Sequence, residues 1–157
     1  MTRSFRGFTT QLAIHLATAT LAMACVCAAH AQQNADPFQT AAEVLRTSGI
    51  QGGLIVHLGC GDGRVTAALR ESDSFQVQGH DRDAAAVQKA REHVRSLGTY
   101  GAISVDQLSG SRLPYVDNLI NLLVADNLSG IPMAEVMRVL TPNGIALVRQ
   151  GNSWQKT

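Results

Sequence analysis

Cysteine is scarce in this sequence, and neither sign of charge is in excess. Two of the three cysteines, Cys25 and Cys27, lie among the first thirty residues, and the formal net charge is only +1, from 13 basic and 12 acidic residues. No basic stripe of the kind that binds nucleic acid is present. No cysteine and histidine cluster has the spacing of metal ligands. We therefore expect neither a nucleic-acid partner nor a metal site.

The first 31 residues have the pattern of a secretory signal peptide. Arg3 and Arg6 precede an apolar segment over residues 12–29, and Ala29-His30-Ala31 fits a small-x-small cleavage signal before Gln32. A transmembrane helix is the alternative, but polar residues interrupt the segment and a cleavage site follows it directly. We expect cleavage, export from the cytoplasm and no stable membrane span in the mature chain.

The mature segment, residues 32–157, has the length of one domain. Loss of the two signal arginines leaves 11 basic residues against 12 acidic ones, a net charge of about −1. Cys60 becomes the only cysteine, which excludes an intramolecular disulfide.

Apolar runs and helical periodicities alternate along the mature chain. Asp36, Pro37 and Gly49 predict the cap, first turn and end of a helix, with Phe38, Ala41, Ala42 and Leu45 on its apolar face. Strands are predicted over 54–58, 75–79, 103–105, 118–125 and 145–148, and further helices after residue 63, over 84–97 and over 133–140. This alternation predicts an α/β fold with a doubly wound, mostly parallel sheet and helices on both faces.

The first strand runs directly into Gly59-Cys60-Gly61-Asp62-Gly63. Glycine has no Cβ, so such a turn bends sharply and lets a ligand approach the backbone amides at the start of the next helix. Those amides and the helix dipole favour an anionic group. The turn therefore predicts a site for a nucleotide-like cofactor.

Asp81 follows the second predicted strand and lies 18 residues beyond Gly63. An acidic residue near this spacing accepts hydrogen bonds from ribose hydroxyls in dinucleotide-binding sheets. Asp81 could instead cap the helix that begins at Ala84, a role that Asp83 could fill equally well. Both interpretations are open at this point.

The glycine spacing argues against a dinucleotide cofactor, because Gly63 comes one position early for the Gly-x-Gly-x-x-Gly pattern. Four segments, 56–63, 79–81, 113–117 and 137–144, instead resemble class I S-adenosylmethionine-dependent methyltransferases, in particular the type 11 subgroup. The resemblance extends over most of the mature chain and implies a Rossmann-like methyltransferase fold.

The resemblance implies S-adenosylmethionine as the small-molecule cofactor and methyl transfer to an acceptor that the sequence does not identify. Catalysis would come mainly from proximity and orientation. The implied cofactor-binding residues are His57, Gly59, Cys60, Gly61, Gly63, Asp81, Arg82 and Asp126.

Three positions depart from the family pattern, where His57, Ser109 and Asn121 stand in place of acids. Neutral residues there would weaken the binding of the cofactor's ammonium and sulfonium. His57 either contacts the ligand or packs beneath the glycine turn, and a charged imidazole would repel an ammonium between about pH 7 and 5.5. An inactive exported module that keeps the fold is therefore the second hypothesis, and an NAD-dependent oxidoreductase is the third.

The resemblance also implies two closing strands after the fifth strand, whereas the chain ends at Thr157. We accordingly expect a sheet that is truncated after its fifth strand. We also expect this domain to be the N-terminal part of a larger exported bacterial protein, with further domains downstream.

Overall fold

The computed structural model describes residues 36–157, so the predicted signal peptide lies outside the described residues. Within them, six strands form one sheet in the order β3-β2-β1-β4-β5-β6. The strands are β1 (Gly53–Leu58), β2 (Phe75–Asp81), β3 (Ile103–Gln107), β4 (Ile120–Ala125), β5 (Leu140–Gln150) and β6 (Ser153–Lys156). The first five strands are parallel, and β6 is antiparallel to β5. The predicted doubly wound sheet is confirmed.

The described residues also form four helices: α1 (Pro37–Ser48) precedes β1, and α2 (Arg64–Ala68), α3 (Ala84–Ser96) and α4 (Met133–Val139) connect β1 to β2, β2 to β3 and β4 to β5. None of the helices in the part of the chain that the structure describes is long and apolar enough to cross a membrane.

Helix α1 begins and ends as its sequence predicts. The Asp36 side chain accepts a hydrogen bond from the Phe38 amide at 3.0 Å, and Gly49 ends the helix with a φ of 74°. The predicted apolar face is wrong in part, because Phe38 is 74% exposed and Ala42 is also exposed. Thr40, Ala41, Val44, Leu45 and Ser48 form the buried face. Ser48 belongs to that face because its hydroxyl donates to the Leu45 carbonyl at 2.8 Å and is thus satisfied when buried.

Helix α3 settles the alternative that the sequence left open for its cap. The Asp83 carboxylate accepts a hydrogen bond from the Ala85 amide at 2.9 Å, so Asp83 caps the helix. Val87, Ala90 and Val94 are buried as predicted, whereas Leu97 is 51% exposed and lies outside the core.

Apolar side chains pack on both faces of the sheet. Along β1, Ile55 belongs to the core on one face, and Val56 and Leu58 belong to the core on the other. The central strands are apolar without alternation because both of their faces are covered. This two-sided burial is why the strands stand out as apolar runs in the sequence.

The end of the sheet differs most from prediction. Strand β5 begins directly after α4, and its register against β4 shifts between Ile120 and Leu122. A Cβ on Gly144 would come within 2.9 Å of the Ile120 carbonyl oxygen, so glycine is required at this irregularity. The sheet does not end at the fifth strand as predicted, because β6 pairs with β5. The first pair joins Leu147 to Lys156 and the last joins Gln150 to Ser153.

Candidate cofactor site

The carboxyl ends of the parallel strands bring five residues into one line across the sheet, which we call the strand-end row. In spatial order the row consists of Gln107, Asp81, Gly59, Asp126 and Arg149. Asp81 and Gln107 pair directly in the β2–β3 register. Gly59 follows the last paired residue of β1, and Asp126 and Arg149 follow the last pair of the β4–β5 register. Adjacent strands are about 4.8 Å apart, so a ligand lying along this edge can reach several members at once.

The glycine turn is anchored on one side and open on the other. The amides of Gly59 and Cys60 donate to the His80 carbonyl at 2.7 and 3.1 Å, which fixes the turn to the end of β2. Gly59 and Gly61 have φ values of 77° and 53°, and a Cβ on either would meet nothing within 4 Å. This open side gives a ligand direct access to the backbone, which fits a nucleotide-like cofactor.

Gly63 has a different role within the same turn. Its φ is 81°, and a Cβ there would lie 2.8 Å from the Ala90 Cβ of α3. The third glycine therefore permits close packing of α2 against α3. It does not face the open side that Gly59 and Gly61 share.

Asp81 joins the turn to the second strand. One carboxylate oxygen accepts from the Gly61 amide at 2.9 Å, and the other accepts from the Asp83 amide at 3.0 Å. A carboxylate has about four lone-pair sites, so both oxygens retain capacity for further donors such as ribose hydroxyls. The structure thus brings Asp81 to the glycine turn, as a ribose-binding acid requires.

His57 lies beneath the turn, as one of its two interpretations proposed. Its side chain is 4% exposed, and Nδ1 lies 2.8 Å from the Thr66 hydroxyl oxygen of α2. Burial lowers the pKa of His57 to about 4, against the opposing influence of Asp126 and Asp81. The expectation that His57 becomes charged between about pH 7 and 5.5 is therefore wrong, because a buried imidazole pays the cost of desolvating its cation.

Cys60 offers a ligand only its backbone. Its side chain is 4% exposed and points toward Gly79, where an added Cβ would lie 3.1 Å from the Cys60 Cβ. Burial and the nearby charge of Asp81 raise the pKa of Cys60 to about 12, so the thiol stays protonated at neutral pH.

Arg82 connects the two loops that rise on either side of the turn. Its Nε donates to the Ser129 carbonyl at 2.9 Å in the loop after β4, and a terminal nitrogen donates to the Gly110 carbonyl at 2.7 Å in the loop after β3. The guanidinium is thus engaged with backbone oxygens above the strand-end row. Its contribution to a ligand would come through the placement of these loops.

Asp126 is paired with Arg149, which the sequence analysis did not single out. The Arg149 Nε donates to Asp126 at 2.5 Å, and the guanidinium carbon lies 4.2 Å from the centre of the Trp154 ring. The signal that could have found Arg149 is its place directly after the apolar run 145–148, at a predicted strand end.

The substitution at Asn121 lies far from this edge. Its side-chain oxygen accepts from the Leu54 amide at 2.9 Å, at the amino end of β1. Four residues of extended chain, about 13 Å, separate Leu54 from the end of β1. Asn121 thus lies at the opposite end of β1 from the glycine turn, and its side chain secures the start of the central strand. Ser109 is exposed in the loop after β3.

The two later segments of the family pattern, 113–117 and 137–144, contact each other through Arg138. The Arg138 guanidinium donates to the Tyr115 carbonyl at 3.0 Å and to Asp117 at 2.6 Å, and it also pairs with Glu135 at 2.7 Å. The hydrogen bonds from Arg138 and the Leu113 amide hold the pKa of Glu135 down, to about 2. Segment 113–117 is thus fastened to α4.

The same segment also contacts the end of β2. The Tyr115 hydroxyl lies 2.6 Å from Nε2 of the buried His80, and the two rings meet edge to face. Burial lowers the pKa of His80 and raises that of Tyr115. Both residues lie in segments of the family pattern, 79–81 and 113–117, but the sequence does not indicate that their side chains meet, because the two segments are distant in the chain.

Residues 55–144 match the family model described as a methyltransferase domain, and the chain belongs to this family. Among curated proteins, it is 30% identical over 96 residues to Methyltransferase GfsG of Streptomyces halstedii, covering 57% of this chain and 34% of that one. It is 26% identical over 101 residues to an uncharacterized protein of Haemophilus influenzae, covering 59% and 40%. The chain thus spans less than half the length of these relatives.

Solved structures of two methyltransferases and of a cyclase share the fold. A SAM-dependent methyltransferase from Aquifex aeolicus superposes with a TM-score of 0.58 at 17% identity, covering 76% of this chain and 78% of that one. Geranyl diphosphate methyltransferase in complex with SAM gives 0.63 at 19% identity, with 71% and 48% covered. The [4+2]-cyclase SpnF gives 0.64 at 24% identity, with 71% and 43% covered.

Proposed function

We propose that this domain binds S-adenosylmethionine along the strand-end row and transfers its methyl group to an acceptor. The observation that carries the proposal is the open side of the glycine turn, with Asp81 bonded to the Gly61 amide beside it. Family membership supports the proposal, as does a structural neighbour that was solved with SAM.

The residues divide the work of binding. Asp81 accepts hydrogen bonds from the ribose hydroxyls, and Gly59 and Gly61 let the ligand lie against the backbone. Arg82 holds the loops after β3 and β4 in place above it. Bound S-adenosylmethionine supplies an electrophilic methyl group, and the chain contributes orientation and proximity to the acceptor.

Titration calorimetry tests the proposal with S-adenosylmethionine, S-adenosylhomocysteine and NAD as ligands. We expect saturable binding of the first two ligands and no binding of NAD. The third glycine, Gly63, which packs against Ala90, comes one position early for the glycine pattern of a dinucleotide-binding turn. Saturable binding of NAD alone would reverse the ranking in favour of an oxidoreductase.

A non-catalytic binding module is the second candidate. Two observations on the β4 side of the turn favour it: Asp126 is already paired with Arg149, and His57 is buried. Neither Asp126 nor His57 therefore offers the cofactor a free carboxylate. Incubation with methyl-labelled S-adenosylmethionine and cell extract separates the two candidates. Label transferred to an extract component supports the enzyme, and saturable binding without transfer supports the module.

We also propose export of the domain after cleavage before Gln32, on the signal pattern of residues 1–31. N-terminal sequencing of protein recovered outside the cytoplasm should begin at Gln32. Recovery of intact Met1 in a membrane fraction would contradict this and favour an anchor.

A further inference from the structure

Arg149 and Asp126 lie on one side of Gly59 in the strand-end row, and Asp81 lies on the other. A ligand whose ribose is held by Asp81 and which crosses the open glycine turn must extend toward this pair. The end of the ligand that lies away from the nucleoside therefore meets both an acid and a base.

The pair has capacity to bind more than itself. The Arg149 and Asp126 side chains are 30% and 56% exposed, and the contact between them joins one guanidinium nitrogen to one carboxylate oxygen. A guanidinium carries five N–H donors in a planar fork that suits a second carboxylate. The Asp126 carboxylate likewise has lone pairs beyond this contact for an ammonium.

Trp154 holds the guanidinium in position. Arg149 and Trp154 are direct partners in the β5–β6 register, and the guanidinium lies over the indole ring at 4.2 Å. Stacking restricts the long arginine side chain before any ligand arrives, which reduces the entropy lost on binding. Strand β6 thus orients Arg149 of β5 through the stacking of Trp154.

The charges at this end suit a zwitterion better than a lone cation. His57 is buried and uncharged. The charged groups at the ends of β4 and β5 are therefore one acid and one base side by side, Asp126 and Arg149. An α-amino acid group carries an ammonium and a carboxylate on one carbon and matches this arrangement. We infer that Arg149 binds the carboxylate of the cofactor's methionyl end while Asp126 receives its ammonium, an inference that rests on the proposed function.

Calorimetry with two ligands tests this inference in the unsubstituted protein. Decarboxylated S-adenosylmethionine keeps the sulfonium and the ammonium but lacks the carboxylate. We expect it to bind about 10- to 100-fold more weakly than S-adenosylmethionine, the loss expected for one charge-assisted carboxylate contact. Equal affinity for the two ligands would overturn the inference while leaving the proposed function standing.

Arg149→Gln should remove that difference. Its affinity for S-adenosylmethionine should fall about 10- to 100-fold, with less than about a threefold change for the decarboxylated ligand. Arg95→Gln is the matched control, because Arg95 also stacks on an aromatic ring, Tyr100 at 5.0 Å, but lies near the far end of α3. Equal losses for both ligands in Arg149→Gln would overturn the carboxylate assignment. Failure of the unsubstituted protein to bind S-adenosylmethionine would instead contradict the proposed function itself.

Discussion

At the scale of single residues, two neighbouring acids have separate roles. Asp83 caps α3, and Asp81 links the end of β2 to the glycine turn. Each accepts backbone hydrogen bonds, so each contributes to stability, but only Asp81 belongs to the strand-end row. Their proximity in sequence allows a direct comparison of the two functions.

Asp81→Ala should lower affinity for S-adenosylmethionine by about 1.5–3 kcal/mol, or roughly 10- to 150-fold, because it removes a charged acceptor for the ribose. It should also lower the free energy of unfolding by about 1 kcal/mol through loss of its backbone contacts. Asp83→Ala is the control: it should lower stability by about 0.5–2 kcal/mol as a lost cap and leave affinity in place. Calorimetry and urea unfolding measure the two quantities. Equal losses of affinity in both variants would show that Asp81 acts only through the fold.

His57 should make the folded protein sensitive to acid. Its pKa is about 4 in the folded chain against 6.5 for the free side chain, so the unfolded chain binds more protons between these values. The free energy of unfolding therefore falls as the pH decreases through that range, by roughly 2–3 kcal/mol from this group.

His57→Asn should reduce that dependence, because the amide can still bond to Thr66 but does not titrate. Urea unfolding at several pH values between about 7 and 4 measures it, and the shifted pKa of His80 is common to both proteins. Superimposable pH profiles for the parent and the variant would contradict the burial of a neutral His57.

At the scale of elements, the glycine turn joins two functions in five residues. Its first half faces open space and its last residue faces a helix, as the surroundings of Gly59 and Gly63 show. Substitution by alanine should therefore mainly reduce stability at Gly63 and mainly reduce ligand binding at Gly59.

Gly63→Ala should destabilise the fold by about 2–4 kcal/mol, since it combines a left-handed backbone position with overpacking against Ala90. Gly59→Ala should cost only about 1–2 kcal/mol, from backbone conformation alone, and should weaken ligand binding by filling the open side. Thermal unfolding and calorimetry on both variants make the comparison. Partial recovery of stability in Gly63→Ala combined with Ala90→Gly would confirm that the clash is with α3.

At the scale of the whole molecule, ligand binding should stabilise the complete fold. A ligand that binds only the folded state adds about 2.7 kcal/mol to the free energy of unfolding at one hundred times its Kd. S-adenosylmethionine should therefore raise the melting temperature of the parent, and Arg95→Gln should respond as the parent does. An unchanged melting temperature at saturation would contradict binding to the folded domain.

Much of this architecture could be predicted from the sequence, because both faces of the sheet are buried and its strands form apolar runs bounded by glycine. The start of α1 and the packing of α3 also follow from local signals. Strand β6 could not be predicted, since Ser153–Lys156 is short and largely exposed and carries no apolar pattern. It exists through its pairing with β5.

The site was predictable where its residues belong to a local motif and not where they depend on distant partners. The glycine turn and Asp81 belong to local motifs and could be predicted. The burial of His57 depends on a hydroxyl from α2, and the pairing of Asp126 with Arg149 depends on the alignment of two strands. No local pattern of charge or spacing encodes these contacts.

The strand order determines when the site is completed as the chain folds. Strand β1 has β2 on one side and β4 on the other, so Asp81 and Asp126 come from two halves of the sheet whose strands pair with each other along the β1–β4 seam. During synthesis the first three strands emerge well before β4 and β5 can dock. A ligand that spans the row can bind only after that seam has closed, and it then fastens the early half of the chain to the late half.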